Sequence, residues 1–186
     1  MTETKKEVVE YIKVKSQFIE DYQEALINDC TITYTNLQSG LTEDTTWDYP
    51  IYNFFAASSP SPYLYRVYEE LRFLVREQIP TSERIWVQSW LNYHKQNKVL
   101  DWHNHTFPLH GYICIDPKDT VTEFEKWTIE NEVGTIYLGP GDAKHRVVAN
   151  SKYDGPRITI GFDIVTETSL AGELVPSMNF GAMPLL

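Results

Sequence analysis

Residues 134–148, Gly-Thr-Ile-Tyr-Leu-Gly-Pro-Gly-Asp-Ala-Lys-His-Arg-Val-Val, decide the fold of this 186-residue chain. They begin with a run of strand-forming residues, pass through a Gly-Pro-Gly turn, and end in a second run that starts at His145. Two such runs around a Gly/Pro turn predict two consecutive β-strands. We therefore expect His145 at the end of a strand, where ligating side chains are often found.

Two further histidines and an arginine extend this pattern. His103 and His105 stand one residue apart, and alternate residues of a strand point to one face, so both rings can reach one ion. Arg157 opens a later predicted strand, in which Thr159 and Gly161 share its face. Imidazole binds iron, copper, nickel and zinc, and three protein ligands leave positions open for water, substrate or dioxygen. The pattern predicts an open metal site with an anion-binding arginine beside it.

Each residue also has a simpler interpretation. A single histidine is more often a surface or core residue than a ligand, and only the joint arrangement favours a metal site. His110 is interpreted as a pocket or core residue. Asp101 and Asp142 are either partners that hold a ring nitrogen in the ligating tautomer or solvated turn residues. Arg157 has the alternative of a surface ion pair.

The rest of the chain predicts helices first and strands afterwards. Residues 7–28 are loosely helical, 31–35 alternate like a strand, 40–62 form a long loop suited to a lid, and Pro62 to Ile79 form an amphipathic helix. Strands are predicted over 85–94, 109–115, 124–128, 135–138, 145–148 and 157–165. This order favours a mainly β jelly roll of two antiparallel sheets, with N-terminal helices packed on one sheet. The tail, 166–186, is expected to wrap the barrel or contact a second subunit in a homodimer.

The composition of the chain limits which kinds of partner and which cellular compartment we expect. The formal charge of −10 and the absence of a Lys/Arg cluster disfavour nucleic acid, since phosphate contacts require clustered cations. The two cysteines do not suggest a disulfide framework, and no apolar run is long enough to span a bilayer. We expect a cytoplasmic protein, or a phage product acting in a host cytoplasm, whose substrate is a small molecule, a peptide or a protein.

Residues 90–105, 109–115, 134–148 and 156–162 resemble the core of the iron(II)- and 2-oxoglutarate-dependent oxygenases, most of all the prolyl-hydroxylase-like and phage-type members. The ordered motifs span about residues 84–165 of a single domain, 1–186. The resemblance implies a double-stranded β-helix. In that family an H-x-D or H-x-E pair and a distal histidine hold the iron, and a later arginine or lysine binds 2-oxoglutarate. His103, His145 and Arg157 fall on these positions.

The resemblance implies Fe(II), 2-oxoglutarate and dioxygen, with succinate and CO2 as products and hydroxylation as the default outcome. Arg157 supplies a bidentate fork for the far carboxylate of 2-oxoglutarate, and Thr159 can donate a hydroxyl to the same group. Asn92 and His94 match, by spacing, an asparagine and an aromatic residue that some members carry before the first metal ligand. Asn92 is placed near the metal-chelating end of 2-oxoglutarate.

The main departure from the family is His105, which stands where the acidic ligand is expected. Either His105 ligates the metal in a three-histidine site, which we favour, or an exogenous ligand fills the position, as in iron halogenases. Two rival classes remain. A cupin-type dioxygenase or isomerase uses H-x-H and a later histidine without 2-oxoglutarate, although the cupin glutamate is missing here. A noncatalytic module would hold a structural zinc or no metal.

Overall fold

The computed structural model describes residues 11–37, 52–79, 82–95, 100–171 and 181–185. The helices in these ranges are α1 (Gln17–Asp21), α2 (Gln23–Leu37), α3 (Phe54–Ala57), α4 (Pro62–Gln78) and α5 (Glu167–Ala171). The strands are β1 (Ile12–Lys15), β2 (Ile85–His94), β3 (Leu109–Asp116), β4 (Thr120–Phe124), β5 (Thr128–Glu130), β6 (Thr135–Pro140), β7 (His145–Ala149), β8 (Arg157–Thr166) and β9 (Met183–Pro184). None of the helices in the described part of the chain is long and apolar enough to cross a membrane.

The strands form two antiparallel sheets. The larger sheet has the order β1-β6-β3-β8-β2-β9, and the smaller has the order β5-β4-β7. The segment before β3 runs beside β7, where His103 and His145 form an isolated antiparallel bridge. The predicted mainly β fold of two antiparallel sheets is confirmed.

Strand β8 shows how alternation separates the core from the site. Ile158, Ile160, Phe162 and Ile164 belong to the apolar cluster that also contains the buried residues of α2 and α4. The residues between them point to the other face, because successive strand side chains alternate. The helices therefore cover one face of the larger sheet, and the opposite face is left for polar side chains.

Helix α4 has the predicted position and the expected caps. The Ser61 side chain accepts a hydrogen bond from the backbone N–H of Leu64, and Pro62 lies in the first turn, where its missing N–H costs nothing. Val67, Leu71 and other residues at helical spacing are fully buried. Burying each such side chain contributes about 1.5–3 kcal/mol, so the helix anchors the layer that backs the larger sheet.

The predicted strand over residues 31–35 is wrong, because these residues lie inside α2. Thr31, Thr33 and Thr35 each donate a side-chain hydrogen bond to the carbonyl four residues earlier. A β-branched threonine can satisfy its hydroxyl in this way on a helix. The buried residues Cys30 and Tyr34 then face the core, and tertiary packing outweighs the local preference for a strand.

The predicted strand over residues 124–128 is also wrong, because a turn lies there between β4 and β5. Phe124 ends β4, and its N–H donates to the carbonyl of Trp127 at 2.8 Å. Residues 12–15, within the segment interpreted as loosely helical, form β1 and pair with β6. An isolated stretch of four residues is too short for periodicity to separate an edge strand from a helix.

Two other expectations are only partly covered by the described residues. Of the long loop predicted over 40–62, residues 40–51 lie outside the described ranges, and Phe54–Ala57 form a short helix. In the tail, β9 pairs with β2, and Arg72 Nε donates to the carbonyl of Leu185 at 2.9 Å. Residues 183–185 thus lie on the edge of the larger sheet, while contact with a second subunit stays a prediction.

Candidate metal centre and anion-binding cavity

The structure brings His103, His105 and His145 together. His103 and His145 exchange backbone hydrogen bonds of 2.9 Å in both directions, and their ring centroids are 4.4 Å apart. The ring of His105 lies 5.3 Å from that of His103 and 5.4 Å from that of His145. One ligating atom from each ring lies within 4.8 Å of the other two. Three imidazoles from two neighbouring segments therefore converge on one point.

The hydrogen bonds on the far side of these rings select their tautomers. His103 Nδ1 is 2.7 Å from the carbonyl oxygen of Asp101, and His145 Nδ1 is 2.9 Å from that of Ala143. A carbonyl can only accept, so each Nδ1 carries the proton and the neutral ring keeps its lone pair on Nε2. This is the arrangement found in metal-ligating histidines, whose second nitrogen donates to a carbonyl or carboxylate. The partners are backbone carbonyls rather than the carboxylates of Asp101 and Asp142.

Burial favours the neutral form of His103 and His145. Removal from water lowers the pKa of His103, and together with the neighbouring His110 it lowers the pKa of His145 to about 3. An uncharged imidazole is the form that binds a metal ion, because a protonated ring has no free lone pair. The donor set and its protonation state fit a divalent transition metal such as iron.

Arg157 lies at the start of β8 with only 2% of its surface exposed. Its Nη2 is 2.7 Å from His94 Nδ1, and its Nη1 lies 3.5 Å from the Thr159 hydroxyl. Since arginine only donates, His94 Nδ1 is the acceptor. Among the described residues, no carboxylate forms an ion pair with Arg157. A buried guanidinium without an anion is costly, and this one is therefore suited to an anionic ligand.

The pairing of β2 with β8 fixes the positions of the other predicted cosubstrate-binding residues. Asn92 lies opposite Thr159, and His94 lies opposite Arg157 in the β2–β8 pair. Asn92 Nδ2 donates to the Thr159 hydroxyl at 3.2 Å. Asn92 and Thr159 both line the cavity, whereas His94 lies outside its lining and contacts the guanidinium. His94 is thus positioned to orient Arg157 rather than to touch a ligand in the cavity.

A single cavity between the two sheets joins the histidines to Arg157. The atoms that line it surround about 480 Å³, a volume that includes the open solvent at its mouth. The larger sheet contributes Trp90, Asn92, His110, Tyr112, Arg157, Thr159 and Gly161. The smaller sheet and its adjoining segments contribute Leu100, His103, His105, Thr122, Asn131, His145 and Val147.

Asp163 was not predicted as a site residue, and His110 was predicted only as a pocket or core residue. Asp163 Oδ1 is 3.1 Å from His105 Nδ1 and 3.2 Å from His110 Nδ1, and all three side chains are buried. Burial acts to raise the pKa of Asp163, but the hydrogen bonds from His105 and His110 outweigh it and lower that pKa. Burial lowers the pKa of His110 to about 4. The alternation that groups Arg157, Thr159 and Gly161 reaches Asp163 at its next step, and that signal was available in the sequence.

Sequence reasoning also missed a polar pair on the opposite wall. The Thr122 hydroxyl donates to Asn131 Oδ1 at 3.1 Å, and Asn131 Nδ2 donates to the Thr120 hydroxyl at 3.2 Å. These buried groups satisfy one another and tie β4 to the segment after β5. Thr and Asn occur throughout the chain, so no spacing in the sequence distinguished them.

No protein-family model matches the chain, and no curated protein matches its sequence. Solved structures do match its fold. Apo HygX from Streptomyces hygroscopicus aligns with a TM-score of 0.59 at 10% identity, over 95% of this chain and 94% of HygX. HygX with nickel and 2-oxoglutarate bound aligns with a TM-score of 0.56 at 12% identity, over 84% of this chain and 82% of that chain.

A third similar structure is SnoN, described as a non-heme alpha-ketoglutarate-dependent epimerase from nogalamycin biosynthesis. It aligns with a TM-score of 0.57 at 14% identity, over 95% of this chain and 88% of SnoN. Identities this low establish a shared fold and nothing finer, so the prolyl-hydroxylase-like and phage-type likeness stays a prediction. The chain therefore shares the double-stranded β-helix fold of HygX and SnoN.

Proposed function

We propose that the chain is an Fe(II)- and 2-oxoglutarate-dependent oxygenase. It oxidises a C–H bond of a small molecule or of a peptide or protein side chain, and hydroxylation is the default outcome. In that reaction one oxygen atom of O2 enters the product and the other enters succinate, while 2-oxoglutarate loses CO2. His103, His105 and His145 hold the metal, and Arg157 binds the cosubstrate.

The observation that carries the proposal is the position of Arg157. A buried guanidinium with no carboxylate partner among the described residues lines the same cavity as three converging imidazoles. 2-Oxoglutarate is a dianion with a metal-chelating end and a far carboxylate. The chelating end of such a ligand can bind a metal held by the three imidazoles. Its far carboxylate can bind Arg157, because the guanidinium fork can donate two hydrogen bonds to a carboxylate.

When bound, the metal supplies the activation of dioxygen that is coupled to decarboxylation of 2-oxoglutarate. The chain's own residues bind, orient and exclude water. Arg157, held by His94, fixes the far carboxylate, and Thr159 can add a hydroxyl contact. Asn92 holds Thr159 and lies on the wall between the arginine and the histidines. The rings of Trp90 and Tyr112 form part of the cavity lining, and burial away from water strengthens these electrostatic contacts.

The comparisons support the proposal at the level of reaction class. HygX shares the fold, and one of its structures has nickel and 2-oxoglutarate bound. SnoN is an epimerase, and SnoK, a further neighbour with a TM-score of 0.58 at 12% identity, is described as a carbocyclase. Since one fold serves several oxidative outcomes, the substrate and product must be found by experiment.

The first experiment is anaerobic titration of the Fe(II)-loaded protein with 2-oxoglutarate. We expect the weak visible charge-transfer band that appears when the cosubstrate chelates the iron. The band should be missing in Arg157→Ala at cosubstrate concentrations that saturate the wild type. A fully iron-loaded protein that develops no band would contradict the proposal.

The three-histidine ligand set also favours a second candidate, a cupin-type metal enzyme that does not use 2-oxoglutarate. His105 in the position of the usual acid is the observation behind it. The two candidates differ in what they require of Arg157, since only the oxygenase needs it for a cosubstrate. Metal-dependent turnover that is unaffected by removing 2-oxoglutarate and by Arg157→Ala would favour the cupin.

The net charge of the chain favours some classes of substrate over others. The chain carries a formal net charge of −10, which disfavours nucleic acid and is compatible with a neutral or basic small molecule or peptide. Succinate release is a readout that does not depend on knowing the product. Screening free amino acids, basic peptides and small apolar compounds by succinate release therefore tests this part of the proposal.

A further inference from the structure

Asp163 and His110 form a buried polar group that the proposed reaction does not use. The carboxylate of Asp163 is 4% exposed and lies opposite His110 in the register of β8 and β3. It contacts Nδ1 of both His105 and His110, at 3.1 and 3.2 Å. One carboxylate thus bridges the third candidate metal ligand and a histidine behind it.

The two imidazoles are stacked. Their centroids are 3.6 Å apart and their planes differ by 8°. The indole of Trp90 lies nearly parallel to both rings, with its centroid 5.6 Å from that of His105 and 6.0 Å from that of His110. Both rings are therefore restrained by aromatic neighbours as well as by the carboxylate.

The stacking argues against a second metal ion bound to His105, His110 and Asp163. A metal ion lies close to the plane of each imidazole that ligates it, along the nitrogen lone pair. Two nearly parallel, stacked rings whose centroids are 3.6 Å apart cannot both have the same ion in their planes. The distances of 3.1 and 3.2 Å are instead ordinary for N–H donors meeting one carboxylate.

We infer that Asp163 is a positioning residue for the metal centre. It holds His105 as an Nε2 ligand. Its negative charge, one hydrogen bond away from that ligand, replaces the charge that a carboxylate ligand would have brought. This inference rests on the three-histidine site of the proposed function and explains how a histidine serves in the position of the acid. A carboxylate that accepts from Nδ1 leaves the lone pair on Nε2 and makes the ring a stronger donor to the metal.

His110 has the complementary part in this arrangement. Its N–H is the second donor to Asp163, so the carboxylate is held between two imidazoles and cannot rotate away from His105. In Asp163→Asn the amide oxygen has two lone pairs and can still accept from both rings, but the negative charge is lost. Asp163→Leu removes the acceptor as well, so this contact then no longer holds either ring in the Nδ1-protonated form.

The metal-free protein provides the first test. Long-range proton–nitrogen correlation spectra report which nitrogen of each imidazole is protonated. We expect His105 and His110 to be Nδ1-protonated in the wild type, and at least one of them to become protonated on Nε2 in Asp163→Leu. A wild-type His105 protonated on Nε2 would overturn the inference, and this measurement is independent of iron, 2-oxoglutarate and activity.

Metal affinity provides the second test, by calorimetric titration with Zn(II) or by the visible spectrum of the Co(II) protein. Asp163→Asn should lower affinity about 10- to 100-fold, the usual effect of losing a partner of a ligating histidine. Asp142→Asn removes the same charge from an exposed turn between β6 and β7, and should leave affinity unchanged. His110→Gln keeps a donor for Asp163, so its metal affinity should fall by less than about threefold, well below the loss expected for Asp163→Asn.

The results of these tests distinguish a failure of the role of Asp163 from a failure of the proposed oxygenase function. Equal losses in Asp163→Asn and His110→Gln would mean that the pair only packs the core, and would overturn the inference. If Asp163→Asn fails to fold, the wild-type tautomer spectrum decides. A wild type that shows the expected tautomers and binds Co(II), but gives no charge-transfer band with Fe(II) and 2-oxoglutarate, would sustain the role of Asp163 and contradict the oxygenase.

Discussion

Arg157 and His94 lie opposite each other in the paired strands β8 and β2, with Nη2 of the guanidinium 2.7 Å from Nδ1 of the imidazole. His94 therefore accepts from the arginine and directs its fork along the cavity wall. The arginine is buried without a carboxylate partner among the described residues, so the fold holds a positive charge ready for a ligand.

Arg157→Ala should weaken 2-oxoglutarate binding by about 2–5 kcal/mol, because it removes a buried, charge-assisted pair. Isothermal titration of the Zn(II)- or anaerobic Fe(II)-loaded protein measures this directly. Arg146→Ala is the matched control, since Arg146 lies next to His145 but pairs with Glu123 at 2.7 Å on the outer side. Affinity that is the same in Arg157→Ala as in the wild type would remove the cosubstrate assignment.

His145→Gln and His103→Gln should each abolish metal binding at micromolar protein, with losses larger than the roughly 100-fold expected for a supporting residue. His105→Ala decides the ligand model. If that variant retains iron and cosubstrate-dependent turnover, the three-histidine site is wrong and an exogenous ligand takes its place. Metal content after gel filtration, with Co(II) spectra of each variant, gives the measurement.

The metal-free protein should lose stability as the pH falls from about 6.5 towards about 4. The folded-state pKa values of His110 and His145 are about 4 and about 3, below the ordinary value of about 6.5. Below 6.5 the unfolded chain therefore binds protons that the folded chain does not, and stability that is complete above 6.5 is lost. Each neutral histidine contributes a slope of up to about 1.4 kcal/mol per pH unit.

His145→Gln isolates this effect, because glutamine does not titrate. Urea unfolding at a series of pH values should show a shallower slope for the variant, by the contribution of one proton. A slope identical to that of the wild type would mean that His145 is protonated in the folded protein, in conflict with its role as a neutral ligand.

Gly161→Ala should destabilise the protein by about 1–3 kcal/mol, as overpacking of a filled site does. A Cβ at this position would run into the indole of Trp90, its neighbour in β2. In a Trp90→Phe background the smaller ring can yield, and the cost of Gly161→Ala should shrink. Additive effects in this double-mutant cycle would contradict the proposed clash.

Local patterns were enough for much of the fold. The alternation in β8 and the apolar stripe of α4 each combine one strong period with clear end signals, and the structure has both elements close to the predicted bounds. Thr31, Thr33 and Thr35 show where this reasoning fails. Their β-branched side chains favour a strand, but burial of Cys30 and Tyr34 against the helical layer selects a helix.

The candidate site divides in the same way. The types and spacing of His103, His105, His145 and Arg157 indicated the chemistry, because few other residues supply neutral nitrogen ligands and a fixed cation. The sequence suggested that His94 binds the cosubstrate and that His110 lies in a pocket or in the core, but it did not predict which side chains they contact. Whether a histidine lines a cavity, orients an arginine or stacks on another ring depends on register, and register is set by long-range pairing.

By itself, the amino-acid sequence determined the strand periods, the helix ends and the identity of the donor groups, since these depend on neighbours only a few residues away. Only the tertiary structure decided that Asp163 meets His105 and His110, and that Arg157 is buried without an anion among the described residues. Those facts arise where β2, β3, β7 and β8 bring together side chains as many as 67 positions apart, as Asn92 and Thr159 are. Contacts over such separations are fixed by the packing of whole sheets, which no local pattern records.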